Sequence, residues 1–196
     1  MTTILTHWPL AFVCVAMIVA AVIDGWKLKV PNWLTFPLII SGWLLGLLHS
    51  CGLFTSSTGT GGIGASLVCT ALGMALLYPV YLIGGMGAGD VKMQMGFGAW
   101  VGAFFGLWDG LAVIWWAFCA AVILGGFIAA VMIVVRGRFR QNLTNSREIV
   151  GDLFQANAVG EVADKAAKRK PRMHLLPYGI PLCLGFVGYL IYLHAG

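Results

Sequence analysis

Charge is what this sequence has least of. Only 10% of its 196 residues are Asp, Glu, Lys or Arg, whereas a soluble domain carries about a quarter, because its surface must face water. The chain is 60% hydrophobic, so lipid must be the solvent for most of its surface, and a soluble globular domain is excluded. Cysteines are few and scattered. Cys14, Cys51, Cys69, Cys119 and Cys183 form no C-x-x-C pair and have no nearby histidine at ligand spacing. Zinc sites need tight ligand spacing, and four of these thiols lie within apolar runs, where a thiol is a small hydrophobe. Neither a metal site nor a disulfide framework is expected. The N-terminus also lacks the basic stretch and small-x-small site of a cleaved signal peptide, so the first apolar run is expected to stay as a helix.

What the sequence does have is a series of long apolar runs. A bilayer core about 30 Å thick takes roughly 20 apolar residues per helix. Six spans are expected, at about 8–23, 33–48, 63–83, 91–107, 111–135 and 175–193, making residues 1–196 one all-α, polytopic, membrane-embedded domain. Pro31 pushes Val30 out of helical dihedrals and turns the chain after the first span. Pro37 falls in or near the first turn of the second, where proline does least harm. Residues 49–62 form a Gly/Ser/Thr-rich loop without charge, and Trp108-Asp109-Gly110 predicts a tight turn. The long hydrophilic stretch, 136–174, holds nine Lys/Arg and four acids. Within it Ile149, Val150, Leu153 and Phe154 recur at helical spacing, which suggests a helix lying along the membrane surface.

With six spans, the loops at 24–32, 84–92 and 136–174 share one side of the membrane. All twelve Lys/Arg fall in those three loops. Basic residues stay cytoplasmic, so both termini are expected outside. The net charge of +5 therefore reads as topology, not as nucleic-acid binding. Basic loops in one leaflet also suit anionic lipid.

This topology places Asp24 and Asp90 at similar depth on the cytoplasmic side, and leaves Asp109 alone on the other. Ionisable groups near membrane depth are expensive and tend to mark function. Two carboxylates within reach of each other cannot both ionise comfortably, so one keeps a proton while the other acts as a base. Such a pair can activate water and protonate a peptide carbonyl or leaving group, with no cofactor or metal. Structural alternatives stand beside this. Asp90 alone fits an N-cap, and Asp24 alone fits a polar stop paired with Lys27 or Lys29. Lys92 fits either a cytoplasmic anchor or a bias on Asp90. Met86, Met93 and Met95 fit packing, and His7, His49 and His194 fit the interface. Gly87 and Gly89 have a physical use, since without side chains they let a substrate strand approach the carboxylate.

The stretch Gly87-Ala88-Gly89-Asp90-Val91-Lys92 resembles the G-x-G-D signature of the intramembrane-type aspartic proteases, and the type IV prepilin peptidases in particular. In that family the other catalytic Asp precedes Ile-Pro-Asn; here Asp24 precedes Val30-Pro31-Asn32, a conservative departure. Leu176-Pro177-Tyr178-Gly179 resembles the family's Pro-Tyr-Gly element. The resemblance covers the first four spans and the last, but not 136–174. It implies catalytic Asp24 and Asp90, with Gly87, Gly89, Lys92, Pro31 and Asn32 shaping the site or binding substrate. It also implies a multi-pass protein of the bacterial inner membrane, with its active site at the cytoplasmic face, that cuts a basic leader from prepilins and possesses no cofactor. The loop that carries paired cysteines and methyltransferase activity in longer relatives is only a few residues here. The chain therefore looks like the short CpaA/TadV form that serves Flp pili in tight adherence, whose substrates are Flp-type pilin and pseudopilin precursors. Two other classes fit the carboxylates: a small proton-coupled transporter, and a non-catalytic membrane subunit of pilus assembly.

Overall fold

The computed structural model describes residues 8–27, 29–53, 59–82, 86–136 and 178–195. It is all-helical, with no strand among the described residues. The six helices are α1 (Trp8–Lys27), α2 (Asn32–Ser50), α3 (Ile63–Leu82), α4 (Ala88–Phe105), α5 (Leu107–Arg136) and α6 (Gly179–Ala195). Each coincides with one expected apolar run. The surface helix expected within 136–174 lies outside the described residues, as do residues 175–177 of the sixth run.

Four helices, α1, α2, α3 and α5, are long and apolar enough to cross a membrane. The other two differ for separate reasons. Helix α6 is apolar but has only 17 residues. Helix α4 carries Asp90, Lys92, Gln94 and four glycines, and is the innermost element, packed against α1, α2, α3 and α5. A helix sheathed by protein needs no apolar coat of its own, because its neighbours supply the face that meets lipid.

Small residues make that sheathing possible, as they do where membrane helices approach closely. A Cβ at Gly96 would lie 2.7 Å from Leu38 of α2, and one at Gly73 of α3 would lie 2.8 Å from the Gln94 backbone. Short polar bonds fasten the same contacts. Ser66 Oγ donates to the Ala99 carbonyl (2.8 Å), Trp43 Nε1 to Thr70 Oγ1 (3.0 Å), and Trp100 Nε1 to the Leu38 carbonyl (2.9 Å). On the other flank, Phe97 of α4 stacks on Phe186 of α6 with ring centroids 4.2 Å apart. Both rings are fully buried, and they tie α6 to the central helix.

Helix ends depart from the expected boundaries in an instructive way. Helix α1 runs on to Lys27, so Asp24 lies inside its last turn and not beyond its end. A charge ends an apolar run without ending a helix; α1 stops at Lys27, three residues past Asp24, and Pro31 is the extended N-cap of α2 at φ −73°, ψ 144°. Trp108-Asp109-Gly110 is not a turn. Those residues form the first turn of α5, and the reversal falls on Gly106 at φ +83°, a left-handed position that favours glycine. The exposed α4 carbonyls are met by Thr60 N–H on Phe104 (2.9 Å) and Gly61 N–H on Ala103 (3.1 Å).

Candidate active site

Two carboxylates are buried in the described structure: Asp24, 3% exposed, and Asp90, 5% exposed. Each receives a backbone N–H from the start of a helix. Asp90 is the third residue of α4, and its Oδ2 accepts from the N–H of Gly87, the N-cap, at 3.2 Å. Asp90 is thus not the N-cap itself. It supplies the return arm of a capping arrangement from the N3 position, satisfying a donor that the helix leaves over. A carboxylate there also faces the positive end of the helix dipole.

Asp24 is held from further away. Its Oδ2 accepts the N–H of Gly179, the first residue of α6, at 2.9 Å. The hydrogen bond found for it is therefore to α6, not to Lys27 or Lys29. The residue before, Tyr178, is half-buried.

The residues expected to shape the site fall into two groups. Gly89, Pro31, Asn32 and Lys92 cluster where the start of α4 meets the link between α1 and α2. A Cβ on Gly89 would lie 2.8 Å from the Val30 carbonyl oxygen and 2.9 Å from Val30 Cβ. The side of Gly89 on which a Cβ would stand is filled by Val30 of the chain itself. Lys92 Nζ donates to Asn32 Oδ1 at 2.9 Å and lies 4.5 Å from the centre of the Phe36 ring. It fastens α4 to the start of α2. Gly87 differs: the nearest atom to a Cβ there is Asp90 Oδ2 at 3.4 Å, an ordinary contact.

Two residues at the site carry little signal in the sequence. Gly179 was visible only as part of a Pro-Tyr-Gly element. Gln94, one turn along α4 from Asp90, is fully buried, and its amide makes no hydrogen bond among the described residues. Met86 and Met93 are buried packing residues of the apolar core, and Met95 packs against it. Among the described residues no group of three or more His, Cys, Asp or Glu is placed to hold a metal ion.

Chemically, this is a pair of buried acids, one in the last turn of α1 and one in the first turn of α4, with donors already aimed at one oxygen of each. The model of the type IV leader peptidase family matches residues 11–135, well over half of the chain and inclusive of both acids. In two other comparisons, with curated proteins and with solved structures, nothing matches.

Proposed function

The chain belongs to the type IV leader peptidase family, and on that premise we propose that it is an aspartic prepilin peptidase in which Asp24 and Asp90 perform the chemistry. One carboxylate, ionised, takes a proton from the attacking water while the other, protonated, donates its proton to the scissile carbonyl; as the tetrahedral diol collapses, the first acid passes its proton to the leaving amine and the second recovers one from the diol hydroxyl. The observation that carries this is the burial of both acids with a backbone N–H fixed on one oxygen of each. Preset donors hold a carboxylate in one orientation, so reaction needs less reorganisation.

Membership of the family implies a protease of pilin precursors in a membrane. The finer proposal is as follows. Residues 1–196 form one peptidase domain with six spans, with both termini outside and the two acids at the cytoplasmic face of the bacterial inner membrane. The substrate is a Flp-type prepilin or pseudopilin precursor, cut between its basic leader and its apolar helix. The short, non-methylating form is proposed because none of the three loops expected at the cytoplasmic side carries a cysteine. Lys27, Lys29 and Lys92 serve as anchors on anionic lipid in the same leaflet.

The test is co-expression of a tagged Flp-type prepilin with wild-type enzyme, Asp24→Asn and Asp90→Asn, read as a gel shift. Cleavage by wild type alone is expected, with both variants present in the membrane at normal levels. Processing by either Asn variant would return that residue to a capping role and favour a non-catalytic assembly subunit.

A further inference from the structure

The matched family residues end at 135, yet α6, which lies beyond them, reaches the proposed catalytic centre. Gly179 is buried and is the first residue of α6, so its N–H has no acceptor within its own helix. That N–H is spent on Asp24 Oδ2 at 2.9 Å, across 155 residues of sequence. A Cβ at position 179 would stand 2.9 Å from Asp24 Cβ, 2.9 Å from Oδ2 and 3.1 Å from Cγ. Contacts under 3.0 Å are ones real Cβ atoms essentially never show. The glycine is required by space alone, for Gly179 is not among the residues with positive φ.

The surroundings leave this contact little freedom to adjust. Ile180 Cδ1 lies 3.4 Å from where a Cβ on Gly25 would be, so the start of α6 lies directly on the last turns of α1. Further along, the Phe97–Phe186 stack fixes α6 to α4, the helix that carries Asp90. Helix α6 therefore sits against both helices that carry the acids, its start on α1 and its middle on α4.

We propose that Gly179 is a positioning residue for the peptidase reaction: its amide fixes the orientation of the Asp24 carboxylate, and the start of α6 is a working part of the catalytic centre. The proposal rests on the peptidase function proposed above. Gly179 touches the acid and not the reacting atoms, so its loss should lower kcat and leave KM nearly unchanged.

The experiment uses full-length enzyme and a purified Flp-type prepilin in detergent or vesicles. Gly179→Ala is expected to reduce kcat roughly tenfold or more, as small misplacements of a reacting group do, with KM within about twofold of wild type. Thermal unfolding is then measured for Gly179→Ala in two backgrounds, wild type and Asp24→Gly. The alanine should lower Tm in the first and have little effect in the second, where no side chain remains for its methyl to meet. Failure of Gly179→Ala to accumulate alone, with recovery in the Asp24→Gly background, supports the same contact. A wild-type kcat for Gly179→Ala, or an equal Tm loss in both backgrounds, overturns the proposal. Silence of the wild-type enzyme toward every prepilin offered refutes the peptidase function itself, and the wild-type lane tells that failure apart.

Discussion

Gly87 and Gly89 stand on either side of Ala88, just before Asp90, and should behave oppositely when each is changed to alanine. At Gly89 the new Cβ would sit 2.8 Å from a backbone oxygen and 2.9 Å from Val30 Cβ. Ordinary contact begins near 3.4 Å, so the two segments must separate by about 0.6 Å (3.4 minus 2.8). Neither partner is the loose end of a side chain. Val30 is 2% exposed and precedes Pro31, which caps α2, so the strain falls on the start of α4. Overpacking of this kind costs about 1–3 kcal/mol. Asp90 is the next residue, and a shift of this size at a reacting group costs roughly ten- to a hundredfold in rate.

At Gly87 a Cβ meets Asp90 Oδ2 at 3.4 Å and the Gly89 nitrogen at 3.9 Å, both ordinary contacts, and the backbone at φ −81°, ψ 150° suits alanine. Gly87→Ala should therefore fold within about 1 kcal/mol of wild type, because the gain from a less flexible unfolded chain offsets much of any loss. Thermal unfolding in detergent reads the stability difference, and the prepilin gel shift reads the rate. Full activity in Gly89→Ala would refute the close approach of α4 to Val30. Equal damage from both alanines would refute the distinction between a packing glycine and an open one.

Three other substitutions test neighbouring claims. Lys92→Met keeps the stem but removes the bond to Asn32 and the cation over Phe36, so it should cost about 1 kcal/mol in thermal unfolding and leave cleavage within roughly tenfold; abolished cleavage with normal folding would assign Lys92 to the chemistry. Gln94→Leu removes a buried amide that makes no hydrogen bond among the described residues and should stabilise the protein by about 1–3 kcal/mol; a lower Tm would mean that the amide is satisfied in the membrane. Asp109→Asn alters an exposed carboxylate in the first turn of α5, so its effect should stay below about 1 kcal/mol with cleavage unchanged, and a strong loss of cleavage would contradict its separation from the two buried acids.

The six helices were legible because lipid imposes a length and a polarity on each span, and apolar runs record both. Their ends were less so. Apolarity marks where lipid stops, and helix hydrogen bonding continues past that point, which is why α1 carries Asp24 inside its last turn and α4 begins at Ala88 instead of Val91. The reversal after α4 was misplaced for a related reason: Asp109-Gly110 has turn composition, but Gly106 already supplies the left-handed residue, leaving Asp109 to start the next helix. At the site, Asp24, Asp90 and the Pro31-Asn32 link could be picked out from local motifs. The reason for Gly89 could not, since the atoms that need its missing side chain belong to Val30, 59 positions earlier. Gly179 and Gln94 left still less trace. Only a three-dimensional arrangement reveals that one amide meets a distant acid while the other makes no hydrogen bond among the described residues.

Where the acids lie along their helices also separates hydrolysis from ion relay. A relay requires ionisable groups in succession across the membrane. Helix α4 has 18 residues, hence a length of about 27 Å at 1.5 Å per residue, and Asp90 is in its first turn. Beyond that turn, its only buried polar side chain is the Gln94 amide, which carries no exchangeable charge. The buried hydroxyls on the neighbouring helix, Ser66 and Thr70, are committed to the carbonyls of Ala99 and Ser66. The third acid among the described residues, Asp109, stands exposed at the start of α5, on the other side of the Gly106 reversal. Among the described residues, then, no carboxylate continues the path from Asp24 and Asp90 along the interior of α4. Two acids confined to helix ends, each with a backbone donor, suit a reaction completed in one place.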